Sequence, residues 1–283
     1  MKFNFYQKGF TLVELLVVIA IIGVLASIVS VSLQNPQKQA SLAVAKRFYS
    51  QIDHALGFYA AGKWSLDDGS GATIKDNSGY GNTGTLSHST MWRTESQCNL
   101  GFGGCLDFNG TDNRVTFSKN FNINGAMTIS FWFNTPDNIT QNQYLMDTRD
   151  AAGNNGPWWL IKNYNVASGK CIYQSQNPGK ICFENRLVVQ GTDWKINEWN
   201  HLVVVDQLSG SKIYMNGKLV DTGTGESATV PSTLKIGTRY NFGQWYNGML
   251  DEVRIYSEAL TTAQIQNLYA EGLKTHQQIA LQP

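Results

Sequence analysis

The chain has 283 residues, with 22 Lys and Arg against 21 Asp and Glu, for a formal net charge of +1 at pH 7. Without Lys2 and Lys8 the charge goes from +1 to −1, and no run of Lys or Arg occurs anywhere. That balance excludes nucleic-acid binding through a basic segment. The length is enough for a membrane-inserted element and one large domain besides.

The first element is an apolar stretch with a charged mouth. Gly9-Phe10-Thr11-Leu12-Val13-Glu14 follows a short basic leader, and from Leu15 to Val31 only Gly23, Ser27 and Ser30 interrupt the apolar run. At ~1.5 Å per residue, a helix through this run just crosses a hydrocarbon core of ~30 Å. The lysines keep the leader on the cytoplasmic side. A carboxylate within such a segment is costly and needs a partner. Two plainer readings stand beside a helix that packs with copies of itself. One is a secretory signal peptide with small residues around Ala26-Ser27, against which Glu14 counts. The other is a simple membrane anchor.

This stretch resembles the N-terminus of type IV pilin and pseudopilin precursors. The resemblance implies that a prepilin peptidase in the bacterial inner membrane cuts between Gly9 and Phe10. It also implies that Phe10 is then methylated and that the helix joins a filament with other pilin subunits. Glu14 of one subunit would pair with the new Phe10 ammonium of a neighbour, which neutralises a charge in an apolar setting and sets the axial register.

Pro36 is expected to kink the helix. Beyond it, Leu42, Ala45, Phe48, Tyr49, Ile52, Leu56 and Tyr59 recur at helical spacing, so the sequence predicts a helix that ends near Gly62. The expected organisation is a leader at 1–9, a helix at 10–62 with a membrane span at about 12–33, a domain at 63–273 and a tail at 274–283.

After Gly62 the chain turns rich in Gly, Asn, Thr, Trp and Tyr. Alternating runs bounded by turn residues predict strands at 104–108, 114–117, 127–133, 144–148, 158–162, 180–183, 186–189, 199–207, 212–215, 218–222, 234–237 and 248–256. Within one of them, Ile129, Phe131 and Phe133 face one way, and Ser130 and Trp132 the other. Asn216-Gly217 is the strongest hairpin signal. Many short strands mean a sandwich. Trp64-Ser65-Leu66-Asp67-Asp68-Gly69, Asp76-Asn77-Ser78-Gly79-Tyr80-Gly81-Asn82, Leu106-Asp107-Phe108-Asn109-Gly110, Trp199-Asn200-His201-Leu202 and Gly248-Met249-Leu250-Asp251-Glu252-Val253 occur in order. Together they resemble the laminin-G-like, concanavalin A-like jelly roll, whose final short helix Ala259-Leu260-Thr261-Thr262-Ala263-Gln264-Ile265 would match. The fold class expected is α+β overall: a long N-terminal helix, an all-β jelly-roll sandwich and a short C-terminal helix.

Four cysteines form two close pairs, Cys98/Cys105 and Cys171/Cys182, without zinc-site spacing. In an exported chain these favour two disulfides, each worth roughly 2–3 kcal/mol. Four buried thiols would instead suit a cytosolic protein. No catalytic constellation stands out, so no enzyme activity is expected. Asp251 and Glu252 are consecutive and on a regular strand would face opposite sides. His54, His88, His201 and His276 are scattered, and His201 reads as a packed residue.

The Asp76 to Asn82 segment offers hard oxygen ligands on a Gly-rich loop, which suits calcium. In the resembled family this loop lies near the aspartate equivalent to Asp251, so Asp76, Asn82 and Asp251 are the candidate Ca2+ ligands. The alternative is an Asx-turn at Asp76 and an amide cap at Asp251. Aromatic residues gather at Trp158-Trp159, Tyr164, Tyr240, Phe242, Trp245 and Tyr246. Tyr240, Phe242, Trp245 and Tyr246 are the candidate ligand-binding residues, because aromatic rings stack on sugar faces, although cores also consume aromatics.

Taken together, these features predict a subunit of a type IV pilus or pseudopilus with a lectin-like head for adhesion to a glycan or an extracellular protein. The precursor would sit in the bacterial inner membrane, and the mature form in a periplasmic or cell-surface filament. The rival class is a membrane-tethered or secreted lectin-like protein that does not polymerise.

Overall fold

A computed structural model describes residues 12–13, 15–17, 19–20, 56–101, 103–119, 121, 123–136, 142–149, 158–162, 180–184, 186–225, 228–229 and 234–276. Gly9, Phe10, Glu14 and Cys171 lie outside the described residues. The chain divides into two compact units, 1–55 and 56–283. In the first, the described residues are helical and present large apolar side chains to solvent, from Val17 at 50% exposure to Leu12 at 79%. Among the described residues no helix is long and apolar enough to cross a membrane.

The second unit is a sandwich of two antiparallel sheets. One runs in the order β14 (Lys218–Gly223), β13 (Ser211–Met215), β12 (Asn200–Gln207), β7 (Asn124–Asn134), β17 (Asn247–Tyr256), β5 (Cys105–Asn109) and β4 (Trp92–Arg93). β1 (Ala60–Trp64) adds to β17, and β15 (Ala228–Thr229) to β7. The other runs β11 (Leu187–Val189), β10 (Lys180–Phe183), β9 (Trp158–Lys162), β8 (Gln143–Asp147), β16 (Lys235–Ile236), β6 (Val115–Phe117), β3 (Gly84–Leu86) and β2 (Thr73–Ile74).

Period-two alternation drives the sandwich together. Met127, Ile129, Phe131 and Phe133 of β7 point into the core with Leu202 and Val204 of β12 and Leu250, Val253 and Ile255 of β17. Thr128, Ser130 and Trp132 point the other way, onto the outer face. That face is buried too, because helix α2 (Thr262–His276) lies on it. A capping box opens α2: Gln264 N donates to Thr261 Oγ1 and Thr261 N to Gln264 Oε1. The short helix α1 (Glu95–Cys98) brings Cys98 to Cys105 on β5, and the two form a disulfide. Cys182 on β10 is also disulfide-bonded.

The Asn216-Gly217 turn joins β13 and β14 with Met215 opposite Lys218. Both turn residues are left-handed, at φ 51° and 74°, as a type I′ hairpin demands. A side chain at Gly217 would come within 2.8 Å of the Tyr269 ring on α2, so this glycine is needed for packing as well as for the turn.

The twelve predicted strands all form, ten of them with shifted ends. Two expectations are corrected. The N-terminal helix does not continue to Gly62: residues 60–64 pair with β17, whose edge needs backbone partners, and Trp64 fills the core. The short strands β1 to β4 and β15 were not legible, because two to five residues carry little periodicity. The domain does not end at 273, since α2 runs to His276, which is buried on the sheet.

Candidate functional site

The outer face of the β8/β16/β6 sheet carries the candidate site. Thr85 pairs with Thr116, Thr116 with Lys235, and Lys235 with Asp147. Directly opposed residues share a face, so these four form one row across β3, β6, β16 and β8. Their neighbours Leu86, Val115, Ile236 and Met146 enter the core.

The segment from Arg239 to Tyr246 folds over this row. Asp147, fully buried, ties it down: its Oδ2 accepts from Tyr240 N at 3.0 Å and from Arg149 Nη2 at 2.6 Å. Burial opposes the Arg149 charge, but the bond to Asp147 outweighs it and the guanidinium pKa rises. The loop closes on itself through Phe242 N to Arg239 O at 2.9 Å and Arg239 N to Gly243 O at 3.0 Å. Phe242 and Gln244 are left-handed, at φ 58° and 55°. A bulky residue in that region is strained, and such strain concentrates where a side chain must be presented. Here it turns out the Phe242 ring, which is 49% exposed.

Four cations attend the rings. The guanidiniums of Arg149 and Arg239 sit 4.8 and 4.9 Å from the Tyr240 ring centroid, and both also approach Tyr144. Arg114 lies 4.8 Å from Phe242 and 5.8 Å from Trp245, and Lys235 is 6.0 Å from Phe242. Tyr240, Phe242 and Trp245 are thus brought together at one surface. Tyr246 is not. It is fully buried, its ring packs on Phe108, and its hydroxyl donates to Asn134 O at 3.0 Å and bonds Thr135 Oγ1. That residue belongs to the core, one step past the last exposed ring. Arg114, Tyr144, Arg149, Lys235 and Arg239 were missed by sequence reasoning, because they are spread over more than 120 positions and no run of charge marks them. The side chains of Trp158 and Trp159 and all of Tyr164 lie outside the described residues.

The three candidate calcium ligands have protein partners. Asp76 Oδ1 accepts from Ser78 N and Lys63 N, and its Oδ2 from Asn82 N at 2.7 Å. Asn82 donates from Nδ2 to Ala61 O and accepts from Trp64 Nε1 at its carbonyl. The first of these contacts is an Asx-turn, and the lone pairs a hard cation needs are used on backbone amides. Asp251 instead bonds His276 Nε2 at 2.9 Å and Glu252 N. Among the described residues, no three His, Cys, Asp or Glu side chains group as a cation site. Tyr80 and Asn82 of this loop line a cleft of about 300 Å3 with Tyr59, Lys119 and Phe121.

Beneath α2, two of the histidines that look scattered in sequence converge. Trp132 stacks on His276 at 4.2 Å and on Tyr269 at 5.7 Å, and lies 5.0 Å from His201. The expected opposition of Asp251 and Glu252 is also corrected. A bulge at Glu252, φ 47°, leaves Leu250 and Val253 both in the core, with Asp251 and Glu252 between them on the helix side. Glu252 and Glu271 bracket the buried Arg254, each at 3.2 Å. Burial pushes Asp251 up to about 7, against the pull of its His276 bond. Burial, with Arg254 and His276 nearby, holds His201 well below its usual value, so it is neutral. Ser130 bonds His201 while Asp251 bonds His276, so these four residues do not line up as a serine, histidine and aspartate relay.

Sandwich topology, closing helix and ordered motifs define a lectin-like jelly roll. Residues 109–266 match the concanavalin A-like lectin/glucanases superfamily, and the chain belongs to that superfamily. Residues 4–30 match the prokaryotic N-terminal methylation motif. No curated protein matches the chain. Among solved structures, the receptor binding domain of botulinum neurotoxin mosaic serotype C/D is similar at TM-score 0.57 and 15% identity, over 76% of this chain and 51% of that one. Domain 4 of an extracellular arabinanase from Geobacillus stearothermophilus, in complex with arabinotriose, is similar at TM-score 0.50 and 18% identity, over 75% of this chain and 98% of that one. The serotype D ligand binding domain in complex with N-acetylneuraminic acid reaches TM-score 0.50 at 14% identity, over 77% of this chain and 52% of that one. The chain spans about half the length of the neurotoxin domains it resembles.

Proposed function

We propose that this protein is a subunit of a type IV pilus or pseudopilus and that its jelly-roll head binds a saccharide. One observation carries the reading: a methylation motif at 4–30 stands ahead of a lectin-family sandwich that presents Tyr240, Phe242 and Trp245 on an outer sheet face. The exposed apolar helix residues Leu12, Val13, Leu15, Leu16 and Ile19 support a segment made to be covered by lipid or by neighbouring helices. In this reading Gly9 and Phe10 are the processing site of a prepilin peptidase, and Glu14 meets the Phe10 ammonium of the next subunit. The precursor waits in the inner membrane. The head binds rather than catalyses, because the titratable pairs near Trp132 are buried under α2. The arabinotriose held by the arabinanase domain, which the match covers over 98% of its length, is a fold precedent for the ligand class.

The test is a Glu14→Ala variant, imaged with antibody to the head. Loss of surface filaments with normal membrane insertion is the expected outcome. Unchanged filaments, or a wild-type mature N-terminus other than Phe10, would sink the filament reading and leave a tethered or secreted lectin.

A further inference from the structure

We infer that the sheet face around Arg239 selects an acidic saccharide, one that carries a carboxylate or a sulfate, over a neutral one. This rests on the saccharide-binding reading above and narrows it. The face gathers Arg114, Arg149 and Arg239 around three rings, and Asp147 is the carboxylate that Arg149 engages. Asp147 is spent: its oxygens accept from Arg149 side-chain nitrogens and from the amides of Arg149 and Tyr240. Among the described residues, neither Arg114 nor Arg239 contacts a carboxylate.

Arg239 is the telling group. Its Nε is buried without a hydrogen-bond partner. An orphaned buried donor is costly, and proteins rarely keep one without use. The guanidinium stays in place because the Tyr240 ring lies 4.9 Å away and the loop backbone closes through Arg239 N and O. A planar fork of donors with no acceptor, set among aromatic faces, matches the two coplanar oxygens of a carboxylate or two oxygens of a sulfate. A neutral sugar would use the exposed Phe242 ring and leave Arg239 unmatched. An acidic sugar uses both, with its ring against Phe242 and Trp245 and its acid group at Arg239.

The experiment uses the full mature chain in detergent, titrated against sialyllactose, sulfated lactose, lactose and inorganic polyphosphate. At least one of the two acidic sugars should bind about tenfold tighter than lactose or better, the size of one charge-assisted hydrogen-bonded contact. The better of the two identifies the acid group. Arg239→Gln should remove most of that advantage, and Arg239→Lys should restore part of it. Arg114→Gln, in a different segment just ahead of β6, should also reduce it, which guards against local misfolding in the first variant. Equal binding of lactose and the acidic sugars, or an advantage untouched by Arg239→Gln, overturns the inference while the lectin head stands. Polyphosphate binding as tight as the best sugar overturns it in favour of charge alone. No binding in any sugar arm overturns both.

Discussion

The two outer faces of the sandwich use the same residue types to opposite ends. On the β7/β12/β17 side, Trp132, His201 and Arg254 are sealed under α2, whose Tyr269 and His276 pack on Trp132, and the polar groups have partners: Arg254 with Glu252 and Glu271, His276 with Asp251. On the β8/β16/β6 side, Tyr240, Phe242 and Trp245 meet three arginines and a lysine, and Asp147 is engaged by Arg149. Aromatic content alone separates core from site poorly. What distinguishes these faces is that Arg114 and Arg239 contact no carboxylate among the described residues, since an unmatched charge is tolerable only near water or a ligand.

The sharpest way to break this contrast is Trp132→Ala. A buried Trp stacked on two rings should cost about 3–5 kcal/mol in chemical denaturation. A loss below about 1 kcal/mol would mean that the helix-covered face is not core. A gentler effect is expected from pH. The folded pKa of Asp251 lies above its unfolded value, raised to about 7 by burial. In that range the native state therefore binds the extra proton, and stability should fall as pH rises from about 4 to about 7. Asp251→Asn should flatten this slope, and an unchanged slope in melts across that range would contradict the assignment. The smallest change in stability belongs to the other face. Phe242→Ala should stay within about 0.5 kcal/mol of wild type, or gain slightly as strain is relieved, yet lose saccharide binding. A large loss of stability there would make Phe242 a packing residue.

Much of the fold was legible because alternation is a local signal. The β7 and β12 runs and the Asn216-Gly217 turn state their structure in consecutive residues. Ala60 to Trp64 was not legible: preceded by a helical period, it becomes strand because the β17 edge offers hydrogen bonds that no local pattern reveals. Within the candidate site, three rings lay close together in sequence and were readable. Tyr246 was misread because one residue's step along the chain takes a ring from surface to core. The Asp251-Glu252 pair was misjudged for a similar reason, since a bulge breaks the alternation on which sidedness rests.

Residue order by itself determined the apolar N-terminal segment, the sandwich class, the close pairing of Cys98 with Cys105 and the aromatic segment at 240–245. Each depends on spacings of a few residues, where chain geometry leaves little choice. Tertiary structure alone decided that Arg114, Arg149, Lys235 and Arg239 share one face, and that His201 and His276 meet at Trp132. Those meetings span many tens of residues. They exist because strands distant in sequence must pair and bury their apolar sides, which carries their outward-facing side chains into one another's company.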